Sequence, residues 1–233
     1  MHRALVVGRK EVLELLGNKA AVGISVGFAV FFSVMYSLRI AGAEGVASQS
    51  LAQTTLFYVP AAIAVFVAYY CVAQVFLLEK REKVIETLMC APVTLRDIWL
   101  GKMLGVTSFA WVVCWLATVL VLAIPTFLGK SLLPGPPVAV NVVVVVPLFV
   151  AGLVGLVGIA QLLLGMRETR ILNFVLFIPV FIALYGSGSA VTENLVVGWQ
   201  HIGVLFGASC ALLALAAYLT RFLSKERIVL TIP

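Results

Sequence analysis

Charge is what this chain has least of. Only 11% of its 233 residues are Asp, Glu, Lys or Arg, 63% are hydrophobic, and the mean hydropathy is +1.15. A soluble domain carries roughly 25% charged residues, so a water-soluble globule is excluded and an integral membrane protein is expected. Histidine is nearly missing as well. His2 and His201 stand too far apart to build the metal or nucleophile constellation of an intramembrane protease, and a single interfacial histidine such as His201 reads as a satisfied polar group. No acid or base falls in the middle of an apolar run, where ion-driven transporters and pumps place theirs. A nucleotide site is missing too. Gly129-Lys130-Ser131 resembles the end of a phosphate-binding loop, but Ile124 occupies the first glycine position; Gly152, Gly155 and Gly158 lie inside an apolar run with no strand-turn-helix context. Cys71, Cys90, Cys114 and Cys210 sit in apolar runs or in a charged loop, so no exported disulfide framework is expected. We therefore expect no catalytic residue, no metal ligand and no cofactor bound by this chain: it is not an enzyme.

What is present is apolar length. A helical span needs roughly 20 apolar residues, and six runs qualify, at about 20–40, 54–78, 103–128, 138–165, 171–189 and 200–220. The run Val142–Val146 lacks the alternation of a membrane β-strand. The expected fold is an all-α integral membrane protein, one transmembrane domain over 1–233 with six helices. Residues 2–17, within an interface segment 1–19, read as an amphipathic helix lying in the membrane surface. Leu5, Val6, Val12, Leu13 and Leu16 form its apolar face, Arg3, Lys10 and Glu14 stand opposite, and Gly17-Asn18-Lys19 ends it. Charges recur through this segment and the run after it is span-length, so a cleavable signal peptide is not expected. Gly23-x-x-x-Gly27 in the first span is a candidate helix-packing or dimer contact. Pro60 predicts a kink in the second span, 133–137 a rigid turn, and 191–199 a short external or re-entrant helix.

The few charges are not placed at random. Fourteen of the sixteen Lys and Arg fall on one side of a six-span arrangement, with only Arg39 and Lys130 on the other. This positive-inside bias puts both termini and the loop after the second span in the cytoplasm of a multi-pass cell-membrane protein. The basic residues are scattered over span ends, so nucleic acid is not an expected partner; the lipid bilayer is.

That loop, 79–102, is the most charged stretch. Glu79 to Cys90 reads as a short amphipathic helix, with Val84, Ile85, Leu88 and Met89 on one face and Glu79, Glu82, Lys83 and Glu86 on the other. Pro92 cannot continue it. Thr94 offers an N-cap with Asp97 three residues on, so a second helix is expected from Leu95 through Gly101-Lys102 into the third span. The segment is a helix, a proline elbow and a helix.

At these residues the chain resembles the type-2 ATP-binding-cassette (ABC) membrane permeases. Their hallmark is an acidic-basic helix ending in Glu-x-Leu, a proline four residues later and a Gly-Lys entering the third span. Glu79, Glu82, Glu86, Leu88, Pro92, Gly101 and Lys102 match it, and so do Arg9-Lys10-Glu11 in the N-terminal helix and the six-span layout. Lys83-Val84 stand where the family usually has Gly-Thr. The resemblance implies a permease half that pairs with a second copy or a paralogue and with two ATPase subunits, which bind ATP and Mg. It would export a substrate, amphipathic, lipid-like or drug-like to judge by the apolar interior. The elbow would be the coupling helix: Glu79, Glu82 and Glu86 pairing with basic groups of the ATPase, Leu88 and Met89 in its groove, Pro92 setting the angle, and the interface helix beside it. The alternative is a membrane anchor or assembly factor that recruits a cytoplasmic partner without transport.

Overall fold

The computed structural model describes residues 2–43, 46–78, 94–130, 134–163, 178 and 197–222. Every regular element among them is helical: α1 (His2–Gly17), α2 (Lys19–Gly42), α3 (Val46–Val72), α4 (Leu95–Phe127), α5 (Pro136–Val140), α6 (Val146–Leu163) and α7 (Trp199–Leu219). α3 runs on into a π-helical turn, Ala73–Leu78, and a second π-helical turn, Asn141–Val145, joins α5 to α6. Five stretches are long and apolar enough to cross a membrane: Lys19–Gly42, Ser48–Phe76, Leu95–Phe127, Pro136–Leu163 and Trp199–Leu219. They coincide with five of the six expected spans. The run 171–189, apart from Ile178, the first helix and proline of the elbow (79–93), and the segment 191–196 lie outside the described residues.

Local chemistry explains the helix starts. Asn18 both ends α1 and caps α2, its side chain accepting from the Ala20 and Ala21 amides (3.1 and 3.2 Å). Thr94 caps α4 as its sequence implies: its hydroxyl accepts from the Asp97 amide (3.2 Å) and donates to the Asp97 carboxylate (2.7 Å). α3 begins at Val46 rather than near 54, because its polar first turns still bury Ala52 and Leu56 against Ile40.

Side-chain contacts fix the direction of each helix. Ser33 Oγ donates to the Ala117 carbonyl (3.3 Å) and Ser37 Oγ to that of Leu120 (3.4 Å), so α2 and α4 run parallel. Carried back, this register sets Lys19 beside Met103, and α4 projects two turns beyond the start of α2. Phe28 stacks on Phe66 (ring centroids 3.8 Å apart) while Ile40 meets Leu56, so α3 is antiparallel to both. Trp99 reaches Gly155 and Trp111 reaches Val142, so α6 opposes α4. Gly152 abuts Leu212 and Gly155 abuts Ala216, so α6 and α7 are parallel. One end of the bundle thereby gathers Arg9, Lys10, Lys19, Arg96, Lys102 and Arg221; Arg39 and Lys130 lie at the other, where Lys130 Nζ donates to the Ala43 carbonyl.

Small residues carry the packing, as expected where lipid is as apolar as leucine. The buried stripe of α2 is Ala21, Ser25, Ala29, Ser33 and Ser37. Gly23 and Gly27 lie on the opposite, open side, and a Cβ at either would meet nothing within 4 Å. The expected glycine pair thus makes no contact within the described chain; the neighbouring alanine-serine stripe does.

The π turn before α6 has a definite cause. Pro147 would clash with the Val143 carbonyl in an α-helix. The chain widens instead, and the Val146 amide bonds five residues back to the Asn141 carbonyl. In that register the Val142 carbonyl would be served by Pro147, which has no N–H; Trp111 Nε1 donates to it from α4 (3.4 Å). Asn141 Nδ2 donates to the Phe57 carbonyl (3.1 Å), one turn before Pro60, and so ties the widened turn to α3.

At Gly152 an added Cβ would lie 2.8 Å from Leu212 Cβ and 3.2 Å from the Leu213 amide nitrogen. Gly152→Val should therefore separate α6 from α7 and cost about 1–3 kcal/mol, read as a lowered melting temperature in detergent. Gly203→Val on the open side of α7, where nothing lies within 4 Å, should leave it within error.

Candidate functional site

The most polar point of the interior lies at the root of the elbow. Lys102, two turns into α4, is 2% exposed, and so is Glu11 of α1; Lys102 Nζ donates to Glu11 Oε1 at 2.9 Å. The Phe76 ring, from the π turn that ends α3, covers the ammonium with its centroid 5.6 Å away. The pair joins three elements next to the points where the described chain breaks before 79 and resumes at Thr94.

Glycine makes the approach possible. A Cβ at Gly101 would lie 2.6 Å from Val7 Cβ and 2.7 Å from the Ala4 carbonyl oxygen. At Gly105 it would meet Glu11 Cβ at 2.8 Å and the Gly8 carbonyl oxygen at 3.0 Å, and at Gly8 the Gly101 carbonyl oxygen at 3.1 Å. α1 therefore lies backbone-to-backbone on α4 along Gly101-x-x-x-Gly105, close enough for the short Glu11 side chain to reach Lys102. Behind Phe76, Gly158 of α6 is equally tight: a Cβ there would stand 2.8 Å from the ring. Trp99 Nε1 donates to the Gly155 carbonyl (3.1 Å), closing the α4–α6 side.

The buried face of α1 is Ala4, Gly8, Glu11 and Leu15. The apolar stripe read from sequence is mostly turned outward, with Leu5, Val6, Leu13 and Leu16 all more than half exposed. Close approach and an ion pair govern which side of the helix docks, and the apolar side remains for surroundings that resemble hydrocarbon.

Of the sequence-predicted coupling residues, Gly101 and Lys102 are buried against α1, where Lys102 meets Glu11 and lies beneath the Phe76 ring. Arg9 and Lys10 are exposed, and Lys10 pairs with Glu14 on its own helix (3.5 Å). Glu79, Glu82, Glu86, Leu88, Met89 and Pro92 lie outside the described residues. Phe76, Gly8 and Gly105 escaped the sequence reading, whereas Gly158 belongs to the glycine series that the sequence shows as a smooth helix face. The signal that could have found the two glycines of the seam is the paired small-x-x-x-small spacing, Ala4/Gly8 on α1 and Gly101/Gly105 on α4.

The fold and this site define an all-helical protein with, among the described residues, five helices fit to cross a membrane and a helix at its basic end docked by a buried ion pair. No protein-family model matches the chain, and no curated protein matches it.

Removing one member of a buried pair strands the other, typically at a cost of about 3–5 kcal/mol, whereas replacing both with apolar groups is often neutral. Glu11→Gln and Lys102→Met should each lower the melting temperature in detergent markedly. The double variant Glu11→Leu/Lys102→Met should recover most of the loss, giving a large coupling energy in the double-mutant cycle. Additive losses would show that the two residues act separately.

Proposed function

We propose that the chain is the membrane-spanning permease subunit of an ATP-driven exporter of the type-2 ATP-binding-cassette kind. The observation that carries this reading is α4. It runs without interruption from Thr94, where the elbow ends, to Phe127, about 50 Å at 1.5 Å per residue. That exceeds the roughly 30 Å of the hydrocarbon core. A force applied at the elbow is thus delivered to one continuous rod, and the Glu11–Lys102 pair and Trp99 brace that rod at its root. The Glu86-to-Lys102 spacing supports the same reading.

In this reading the basic end is cytoplasmic, following the positive-inside rule, and both termini lie there in the cell membrane. Two observations support six crossings: α6 and α7 are parallel, which one further crossing between them would account for, and 171–189 is a run of span length. Glu79, Glu82 and Glu86 engage basic groups on two ATPase subunits that bind ATP and Mg, with Leu88 and Met89 packed beneath. A second copy or a paralogue completes the complex, and the open Gly23/Gly27 side of α2 admits its close approach. The cargo is amphipathic, lipid-like or drug-like.

Two measurements test this. Glu82→Lys/Glu86→Lys should abolish co-purification of an ATPase from native membranes, together with its ATP-dependent export; undiminished co-purification and export would remove the coupling role. In a cysteine-less background, Lys130→Cys should react with an impermeant maleimide in intact cells, whereas Arg96→Cys should react only after the membrane is opened. The reverse pattern would invert the topology.

A further inference from the structure

We propose that α1 and α4 form a binding site for one anionic phospholipid, with Arg9 holding its phosphate. This rests on the membrane reading of the helices and is independent of the transporter reading. Beside the glycine seam the two helices leave a half-open groove of about 300 Å³, walled by Leu5, Arg9, Val12 and Leu13 of α1 and by Leu104 and Ser108 of α4. The α2–α4 register sets Leu104 beside Ala20, in the first turn of α2, so the groove sits where hydrocarbon gives way to headgroups.

Arg9 is the anomaly of this groove. It stands in the middle of an apolar stripe, with Leu5 and Leu13 one turn to either side and both about 60% exposed (61% and 59%). Among the described residues no carboxylate lies within ion-pair distance of it: Glu14 serves Lys10 and Glu11 serves Lys102. An exposed guanidinium lining such a groove can lay its stem along the apolar wall and present a planar fork of donors, the geometry that grips a phosphate. The complementary ligand is apolar along its length and negative at one end, which describes an acyl chain on a phosphodiester. The headgroup should be anionic rather than zwitterionic. Both nearby carboxylates among the described residues are already paired, and exposed Lys19 at the same end would repel a headgroup ammonium.

The test is native mass spectrometry of the full chain in mild detergent, titrated with phosphatidylglycerol or phosphatidylcholine of equal acyl length. The wild type should retain one phosphatidylglycerol in preference to phosphatidylcholine. Arg9→Gln should lower that retention about fivefold, the weight of one cation at an anionic lipid surface. Lys10→Gln should leave it unchanged, and Ser108→Trp, which fills the groove, should abolish it. Unchanged melting temperatures would confirm that each variant is folded. Equal retention of both lipids by the wild type would overturn the site. So would equal losses from Arg9→Gln and Lys10→Gln, which would mark general surface charge, or retention that survives Ser108→Trp.

Discussion

A carboxylate and an ammonium withdrawn from water must hold each other, since desolvating either alone costs several kcal/mol. The rest of the basic end is arranged around that requirement. Glu11 has a short side chain and α1 has to come very near α4, so Gly8, Gly101 and Gly105 give up their side chains at the crossing. The ammonium needs a cover on its far side. Phe76 supplies it, and the ring fits only because Gly158 leaves room behind. Each of these residues is intelligible once the pair is in place; without it, three glycines in a helix seam would be destabilising choices at roughly 0.5–1 kcal/mol each relative to alanine.

Much of the architecture could be read in advance, because it depends on local rules. The extent of α1, the start of α4 at its Thr94 cap with Asp97, and five apolar stretches follow from periodicity, capping chemistry and length. The orientation of α1 could not be read that way. An amphipathic pattern identifies an apolar side, and in water that side would be buried. Against a bilayer the apolar side can stay outward, so the small and charged side is the one that docks. The ion pair of Lys102 could not be read for a related reason: a lysine near a span end reads as a topology signal, and its partner lies 91 residues away in sequence. Gly23 and Gly27 carried the most conspicuous small-residue spacing, yet Ser33 and Ser37, in the buried stripe on the other side, make the contact with α4. Hydroxyls that bond across to a neighbour's carbonyl combine close approach with directionality, which bare glycine lacks.

The two helices that flank the elbow differ in helical geometry, and this difference shapes how the elbow would act in the proposed permease. α3 ends toward it in a π-helical turn, Ala73–Leu78, a widened geometry that is rare and found frequently at functional sites. α4 leaves it as regular α-helix from a capped first turn. In the proposed permease, displacement at the elbow would be absorbed on the α3 side and transmitted on the α4 side. The ion pair sits on that side and ties α1 to the same rod, so α1 would move with α4 in the proposed permease. The remaining faces of α1 are then free for different neighbours: Lys10 and Glu14 toward water, and Leu5, Arg9 and Leu13 toward the membrane. A lipid held at that third face would bear on the same body as the elbow, which gives the composition of the bilayer a direct mechanical route to α4.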